Sequence, residues 1–256
     1  MMHAMDLPID DVLSDILDSL RLGNRLILAA PPGAGKTTKV PLALMTENWV
    51  TGRILLLEPR RISARMAAER MASSLGEKVG QRIGLSTRVD TKISAVTKVE
   101  VITDGLLTRR LLNDPELKNV SAILFDEFHE RRLNMDLGLA LTSDIQEGLR
   151  EDLRVVIMSA TLDTSSISQT FKAPIIASEG RAYPIETHYL GKDERALPVK
   201  TSEAVRLALL EQSGNILVFL PGQKEIRQTQ NLLNDFGKEV MIAPLYGGLS
   251  PQDQDS

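Results

Sequence analysis

Apolar residues recur along this chain in two different periods. Residues 8–22 carry Ile9, Val12, Leu13, Ile16, Leu17 and Leu20 on one helical face, with Pro8 at the start and Gly23 just past the end. That spacing predicts one amphipathic helix packed on a core. From there, short unbroken apolar runs alternate with longer helical patterns. The predicted strands are 26–30, 54–57, 99–102, 122–125 and 155–158, and the predicted helices include 37–45, 61–75, 105–112 and 135–149. Strands that are apolar on both faces and separated by helices imply a parallel sheet covered on both sides. The expected fold class is α/β.

Near residue 178 the pattern changes. Residues 179–184 are turn-rich, and 185–190 read as a connecting strand. A helix at 201–212, a strand at 216–220, a helix from about 224 to 236 and a strand at 241–245 follow. We read 1–177 as one domain and 178–256 as the beginning of a second. Two or three strand-helix pairs seldom close a doubly wound sheet, so the second domain is expected to be incomplete.

Composition narrows the class. The 256 residues are 43% hydrophobic and 25% charged, ordinary values for a soluble globular protein. With 30 basic and 34 acidic side chains the net charge is −4, so nucleic acid would have to be met by local patches and not by a global field. Cysteine is absent, which excludes a disulfide framework and thiolate zinc sites and suits a reducing compartment. No stretch approaches the roughly 18 apolar residues of a membrane span. The opening residues lack the basic-then-apolar layout of a signal peptide. The expected setting is cytoplasmic, with no membrane partner.

The chemistry begins at Ala30-Pro31-Pro32-Gly33-Ala34-Gly35-Lys36-Thr37-Thr38, between the apolar run 26–29 and a helical pattern. In a strand-loop-helix context, glycines let backbone N–H groups close around phosphates, Lys36 adds a point charge and the Thr37 hydroxyl can ligate Mg²⁺. On its own the segment could equally be a glycine turn. Asp126-Glu127-Phe128-His129 follows the strand 122–125, 90 residues after Lys36. Acids there suit a nucleotide hydrolase, with Asp126 holding the metal through water and Glu127 also near the metal and orienting the attacking water. Alone, such a pair would read as a solvated turn. Ser159-Ala160-Thr161 ends the next strand. Its hydroxyls could bond the acidic motif and sense a γ-phosphate, or cap the helix at Leu162-Asp163.

Taken in order, Ala30–Thr38, Pro59-Arg60-Arg61, Thr103-Asp104-Gly105, Asp126–His129 with Glu130-Arg131, and Ser159–Thr161 resemble the DEAH-box branch of superfamily 2 helicases. Phe128 within the box, with Leu57-Glu58-Pro59-Arg60-Arg61 and Leu217-Val218-Phe219-Leu220-Pro221-Gly222, resembles the bacterial HrpB-type ATP-dependent RNA helicases in particular. The resemblance implies two RecA-like domains, ATP and Mg²⁺ as cofactors, and single-stranded RNA as partner. It further implies that Pro32, Gly33, Ala34, Gly35, Lys36, Thr37 and Thr38 hold the nucleotide and that Arg70 stacks on its base. Arg60, Arg61, Thr103, Asp104 and Gly105 would hold the strand on the first domain, and Pro221 and Gly222 would meet it from the second. His129, Ser159 and Thr161 would couple nucleotide state to domain position.

One departure from the family pattern matters. The 256 residues contain no Thr/Ser-rich coupling motif and no Gln-x-x-Gly-Arg-x-Gly-Arg motif, whose arginines in the family reach the γ-phosphate. Gln81-Arg82-Ile83-Gly84 lies before Asp126 and cannot take that part. An arginine finger is worth about 10³–10⁵ in rate. Two functions from different classes therefore remain: an N-terminal portion of an RNA-dependent ATPase, or a truncated module that holds ATP and RNA with little turnover. A phosphate-loop ATPase acting on protein or DNA is disfavoured by Pro59–Arg61 and Thr103–Gly105 together.

Overall fold

The computed structural model describes residues 7–161, 165–180, 184–192, 194–236 and 240–249, with the side chains of Ser165 and Ser166 excepted. It divides into two compact units, Met1–Tyr183 and Pro184–Ser256. The first holds an eight-stranded sheet: β1 (Arg25–Ala29), β2 (Arg53–Glu58), β3 (Ile83–Ser86), β4 (Thr91–Lys92), β5 (Val99–Thr103), β6 (Val120–Phe125), β7 (Arg154–Ser159) and β8 (Ile175–Ala177). Their order across the sheet is β4-β3-β5-β2-β6-β7-β1-β8. Every neighbouring pair is parallel except the antiparallel β3 and β4 at one edge. The α/β expectation is met.

Alternation along each strand explains the layers. Leu26, Leu28, Ile54, Leu56, Ala122, Leu124, Val156 and Met158 point to one face and join the first apolar core with α1 (Leu13–Leu22), α2 (Lys36–Leu44) and α3 (Arg61–Ser74). Ile27, Leu55, Leu57, Ile123, Phe125, Val155 and Ile157 point to the other, toward α4 (Asp104–Asn113), α5 (Leu133–Gly148) and α6 (Ser165–Phe171). Both faces are buried, which is why these strands read as continuous apolar runs. Each of these side chains larger than alanine contributes about 1.5–3 kcal/mol on leaving water.

Three differences from the sequence reading have physical causes. The helix expected over 8–22 is a 3₁₀ turn, Pro8–Val12, followed by α1. The Leu7 N–H is capped locally by Asp10 Oδ2 at 2.9 Å, and the Ile9 N–H donates across to the Ala34 carbonyl at 3.1 Å. The short strands β3, β4 and β8 and helix α6 carry too few residues to show a period. In the second unit, α7 (Leu197–Glu211) and α8 (Gln223–Leu233) lie where helices were expected, but the described residues of 185–190, 216–220 and 241–245 form no strand. Their apolar side chains face solvent, with Leu217 76%, Phe219 88% and Met241 85% exposed. A strand apolar on both faces forms only where layers cover it.

Glu100 is the polar exception in the middle of β5, with no exposed surface. Arg53 Nη1 lies 3.3 Å and Arg110 Nη1 3.0 Å from its Oε2, and Arg110 Nη2 and the Ser86 hydroxyl reach Oε1. Burial pushes its pKa up, but the Arg110, Ser86 and Arg53 contacts outweigh burial and hold it below its ordinary 4.5. A folded-state pKa below the unfolded one gives stability that is present above the unfolded value and is lost as pH falls through the folded value. Glu100→Gln should therefore cost about 3 kcal/mol near neutral pH, leaving half-buried guanidinium groups uncompensated. The gap from wild type should shrink below about pH 4. Urea titrations over that range check both, and a gap independent of pH would show that charge is not what Glu100 contributes.

Candidate active site

In a parallel sheet the carboxyl ends of the strands share one edge, and loops there collect ligands. Residues following β5, β2, β6, β7 and β1, which are successive neighbours, carry all the motifs singled out in the first unit. The loop after β1 turns through Gly33 and Gly35 at φ 79° and 95°, left-handed values that glycine adopts at no steric cost. Gly35 has a second reason to lack a side chain: a Cβ would fall 2.6 Å from Leu7 Cδ1 and 3.1 Å from Ile9 Cγ2. The 3₁₀ turn thus backs the loop, and Asp10 pairs with Lys39 at 3.1 Å. Sequence reading missed this support, because Leu7 and Asp10 carry no motif.

Among the described residues, the N–H groups of Gly33, Gly35, Lys36 and Thr37 donate to no acceptor of the chain. Free donors at a helix start, beside a cation, fit a phosphate group. Thr38 N–H instead returns to the Gly35 carbonyl at 3.2 Å.

Across from the loop, the N–H of fully buried Asp126 donates to the Leu57 carbonyl at 3.0 Å, which fixes the end of β6 against β2. The Thr37 hydroxyl donates to Asp126 Oδ2. Lys36 Nζ lies 3.1 Å from Glu127 Oε1 and 3.9 Å from Asp126 Oδ1, and Lys36 is 3% exposed. Thr37 and Asp126, joined side by side with Glu127 next to them, are an oxygen set that suits Mg²⁺ shared with phosphate. Glu127 itself sits at φ 50°, its N–H held by Asp126 Oδ1 at 2.8 Å. A left-handed non-glycine is uncommon, and such strain concentrates at functional sites.

Phe128 is a core residue, 2% exposed and edge-on to Phe125 at 6.3 Å between centroids. It anchors the box from below. His129 Nδ1 accepts the Ala160 N–H at 3.3 Å and lies 3.4 Å from Glu127 Oε2. The ring thus lies between the Ala160 backbone and the Glu127 carboxylate. The Ser159 and Thr161 hydroxyls lie 3.3 Å apart. The Ser159–Thr161 segment thus touches the box through the Ala160 backbone, and the expected hydroxyl contact with the acids is not formed. Leu162 and Asp163, the alternative cap partners, lie outside the described residues.

On the same edge, Arg60 precedes α3 and its Nη2 pairs with Glu130 Oε1 at 3.0 Å; Arg61 is exposed at the first position of α3. Thr103 precedes α4, and Asp104 accepts the Gly105 N–H at 2.7 Å and pairs with Arg132 Nε at 3.1 Å. Arg70 is exposed on α3, and no hydrogen bond or ion pair of the described residues links its side chain to the phosphate loop. Pro221 and Gly222 belong to the second unit, where Gly222 caps α8. A cavity of ≈ 490 Å³, lined in part by Arg53, Lys98, Arg110 and Lys118, lies toward the opposite end of the strands and holds none of these motifs.

Glu58, quoted above only as part of Leu57-Glu58-Pro59-Arg60-Arg61 with no role of its own, also belongs to the site. It ends β2, is 3% exposed and faces Asp126. A second strand-end acid in the neighbouring strand was the available signal. Burial, then the charges of Asp126 and Glu127, push its pKa up to about 9. Burial pushes Asp126 up as well, against the Lys36 ammonium and the Thr37 hydroxyl. A carboxyl whose folded pKa is raised binds a proton more tightly folded than unfolded. Its neutral form is accommodated below its unfolded pKa, and stability falls as pH rises from there toward about 9. Glu58→Gln, neutral at every pH, should flatten that fall: its melting temperature relative to wild type should rise between pH 6 and pH 8.5 in magnesium-free buffer. Parallel melting curves across the range would show that Glu58 ionises freely in the fold.

Comparison with known proteins places the chain in a family. The DEAD/DEAH box helicase family model matches residues 11–170. The chain is 44% identical over 255 residues to the ATP-dependent RNA helicase HrpB of Escherichia coli (strain K12), covering 97% of this chain and 31% of that protein. It is 35% identical over 259 residues to E. coli HrpA, covering 98% of this chain and 20% of that one. The crystal structure of E. coli DEAH/RHA helicase HrpB superposes with a TM-score of 0.91 at 43% identity, covering 97% of this chain and 32% of that chain. The chain thus spans about a third of the length of its HrpB relative. With the family model matching well over half its residues, the chain belongs to the DEAD/DEAH box helicase family.

Proposed function

We propose that this chain carries the ATP-binding and part of the strand-binding machinery of a cytoplasmic DEAH-box RNA helicase, an ATPase stimulated by single-stranded RNA. The observation that carries the reading is the Lys36, Thr37, Asp126 and Glu127 constellation, with Arg60 and Asp104 on the same edge of the sheet. Residues 1–177 are proposed as the first RecA-like domain and 178–256 as part of the second. The names of the HrpB and HrpA relatives, ATP-dependent RNA helicases, support the choice of nucleotide and strand.

In this mechanism, the N–H groups of Gly33, Gly35, Lys36 and Thr37 bind the β- and γ-phosphates, with Pro32, Ala34 and Thr38 shaping the loop. Lys36 leaves its carboxylates to neutralise phosphate charge, which frees Glu127 to accept a proton from the attacking water. Thr37 and Asp126 would hold Mg²⁺, with Glu127 alongside, and the ion would supply positive charge that offsets the phosphate and keeps the neighbouring carboxylates ionised. His129, held on the Ala160 backbone beside Glu127, is assigned to link the acids to the segment after β7. Arg60, Arg61, Thr103, Asp104 and Gly105 hold the strand backbone without reading sequence, and Arg70 is assigned to the nucleotide base. Pro221 and Gly222 are the proposed contacts of the second domain.

The absence of the Gln-x-x-Gly-Arg-x-Gly-Arg motif from the 256 residues favours a second reading for this molecule alone, a module that binds ATP and RNA with little turnover. ATPase assays with and without poly-RNA, on this chain and on a longer form of the protein, separate the two. Strong RNA-stimulated turnover by the 256 residues would remove the second reading. In the longer form, Glu127→Gln is expected to lower turnover by at least about a hundredfold, as loss of a general base does, while ATP binding persists. Lys36→Ala is expected to weaken ATP binding itself in calorimetry, and unchanged affinity would sink the phosphate-loop assignment.

A further inference from the structure

The ion pair between Arg60 and Glu130 joins two parts of the molecule that the proposed function uses separately. Arg60 stands on the strand-binding edge with its side chain 66% exposed, and Glu130, 25% exposed, belongs to the turn that starts at Glu127. The Glu130 N–H donates to the Glu127 carbonyl at 3.0 Å. A change in the Glu127 backbone therefore carries Glu130 with it. Two residues on, Arg132 pairs with Asp104, whose side chain is only 9% exposed and also accepts the Gly105 N–H. The stretch from Glu130 to Arg132 thus has one end secured at a mostly buried acid and the other resting on an exposed guanidinium.

We infer that Glu130 is a positioning residue that competes with a strand phosphate for Arg60. In the strand-free state it occupies the guanidinium, and a phosphodiester must displace it. The exposure of the pair makes this exchange feasible, because an ion pair in water contributes little and yields at small cost, whereas the Asp104–Arg132 pair is the one that keeps its partner. Binding couplings are reciprocal. A shift of the Glu127 turn that withdraws Glu130 raises strand affinity, and a bound strand favours that same shift. This inference rests on the strand-binding reading above.

The test is anisotropy of labelled oligouridylate with the nucleotide-free 256-residue chain, for wild type, Glu130→Gln, Arg60→Ala and the double variant. Glu130→Gln should tighten binding by about two- to fivefold, the scale of an exposed ion pair. Arg60→Ala should weaken binding, and adding Glu130→Gln to it should change nothing further. Glu69→Gln, which removes an acid paired with Arg65 on α3, controls for general charge. A Glu130→Gln gain that survives without Arg60, or that Glu69→Gln reproduces, overturns the inference, as does wild-type affinity in Glu130→Gln. Oligouridylate that fails to bind wild type overturns the strand-binding reading, and this inference with it.

Discussion

A lysine ammonium almost out of contact with water, held between the carboxylates of Asp126 and Glu127, is the constraint around which the first unit is arranged. Isolated, the Lys36 and Asp126 charges would each cost several kcal/mol to bury. Together they compensate one another only if the end of β6 and the start of α2 stand a few ångströms apart. A parallel sheet provides that proximity, because the carboxyl ends of its strands share one edge. β7, placed between β1 and β6, sets the gap between the glycine loop and the acids.

The support around this cluster comes from residues with no charge to contribute. Phe128, where the box has an aromatic residue, locks the Glu127 turn to Phe125 in the core. Leu7 and Ile9 leave no room for a Cβ at Gly35. Glu127 and Arg131 flank the Phe128 turn with left-handed backbone, a conformation that concentrates at functional sites. The same turn carries Glu130 and Arg132 to Arg60 and Asp104. One short segment therefore borders both the proposed nucleotide site and the proposed strand site.

The second unit shows what the pattern of apolar residues does without enough layers. α7 and α8 form where the helical period is clear, since each satisfies its backbone within itself. The apolar runs at 216–220 and 241–245 have the composition of interior strands, yet Phe219 and Met241 face solvent. A strand is completed only by its neighbours.

Much of the first unit was legible in the residues themselves. The run Ile54-Leu55-Leu56-Leu57 is unbroken because both of its faces are buried, and Lys36-Thr37 with Asp126-Glu127 stand in motifs whose spacing reflects one strand-loop-helix unit and one strand end. Those are local properties, set by backbone sterics and side-chain burial. Other features depend on residues far apart in the chain, and only the tertiary structure decided them: the order of strands, the raised acid at Glu58, the backing of Gly35 by Leu7, and the Ala160 backbone, instead of the Ser159 and Thr161 hydroxyls, as the contact to His129. Burial and field at a point are sums over everything packed around it, and no single stretch of sequence contains that sum.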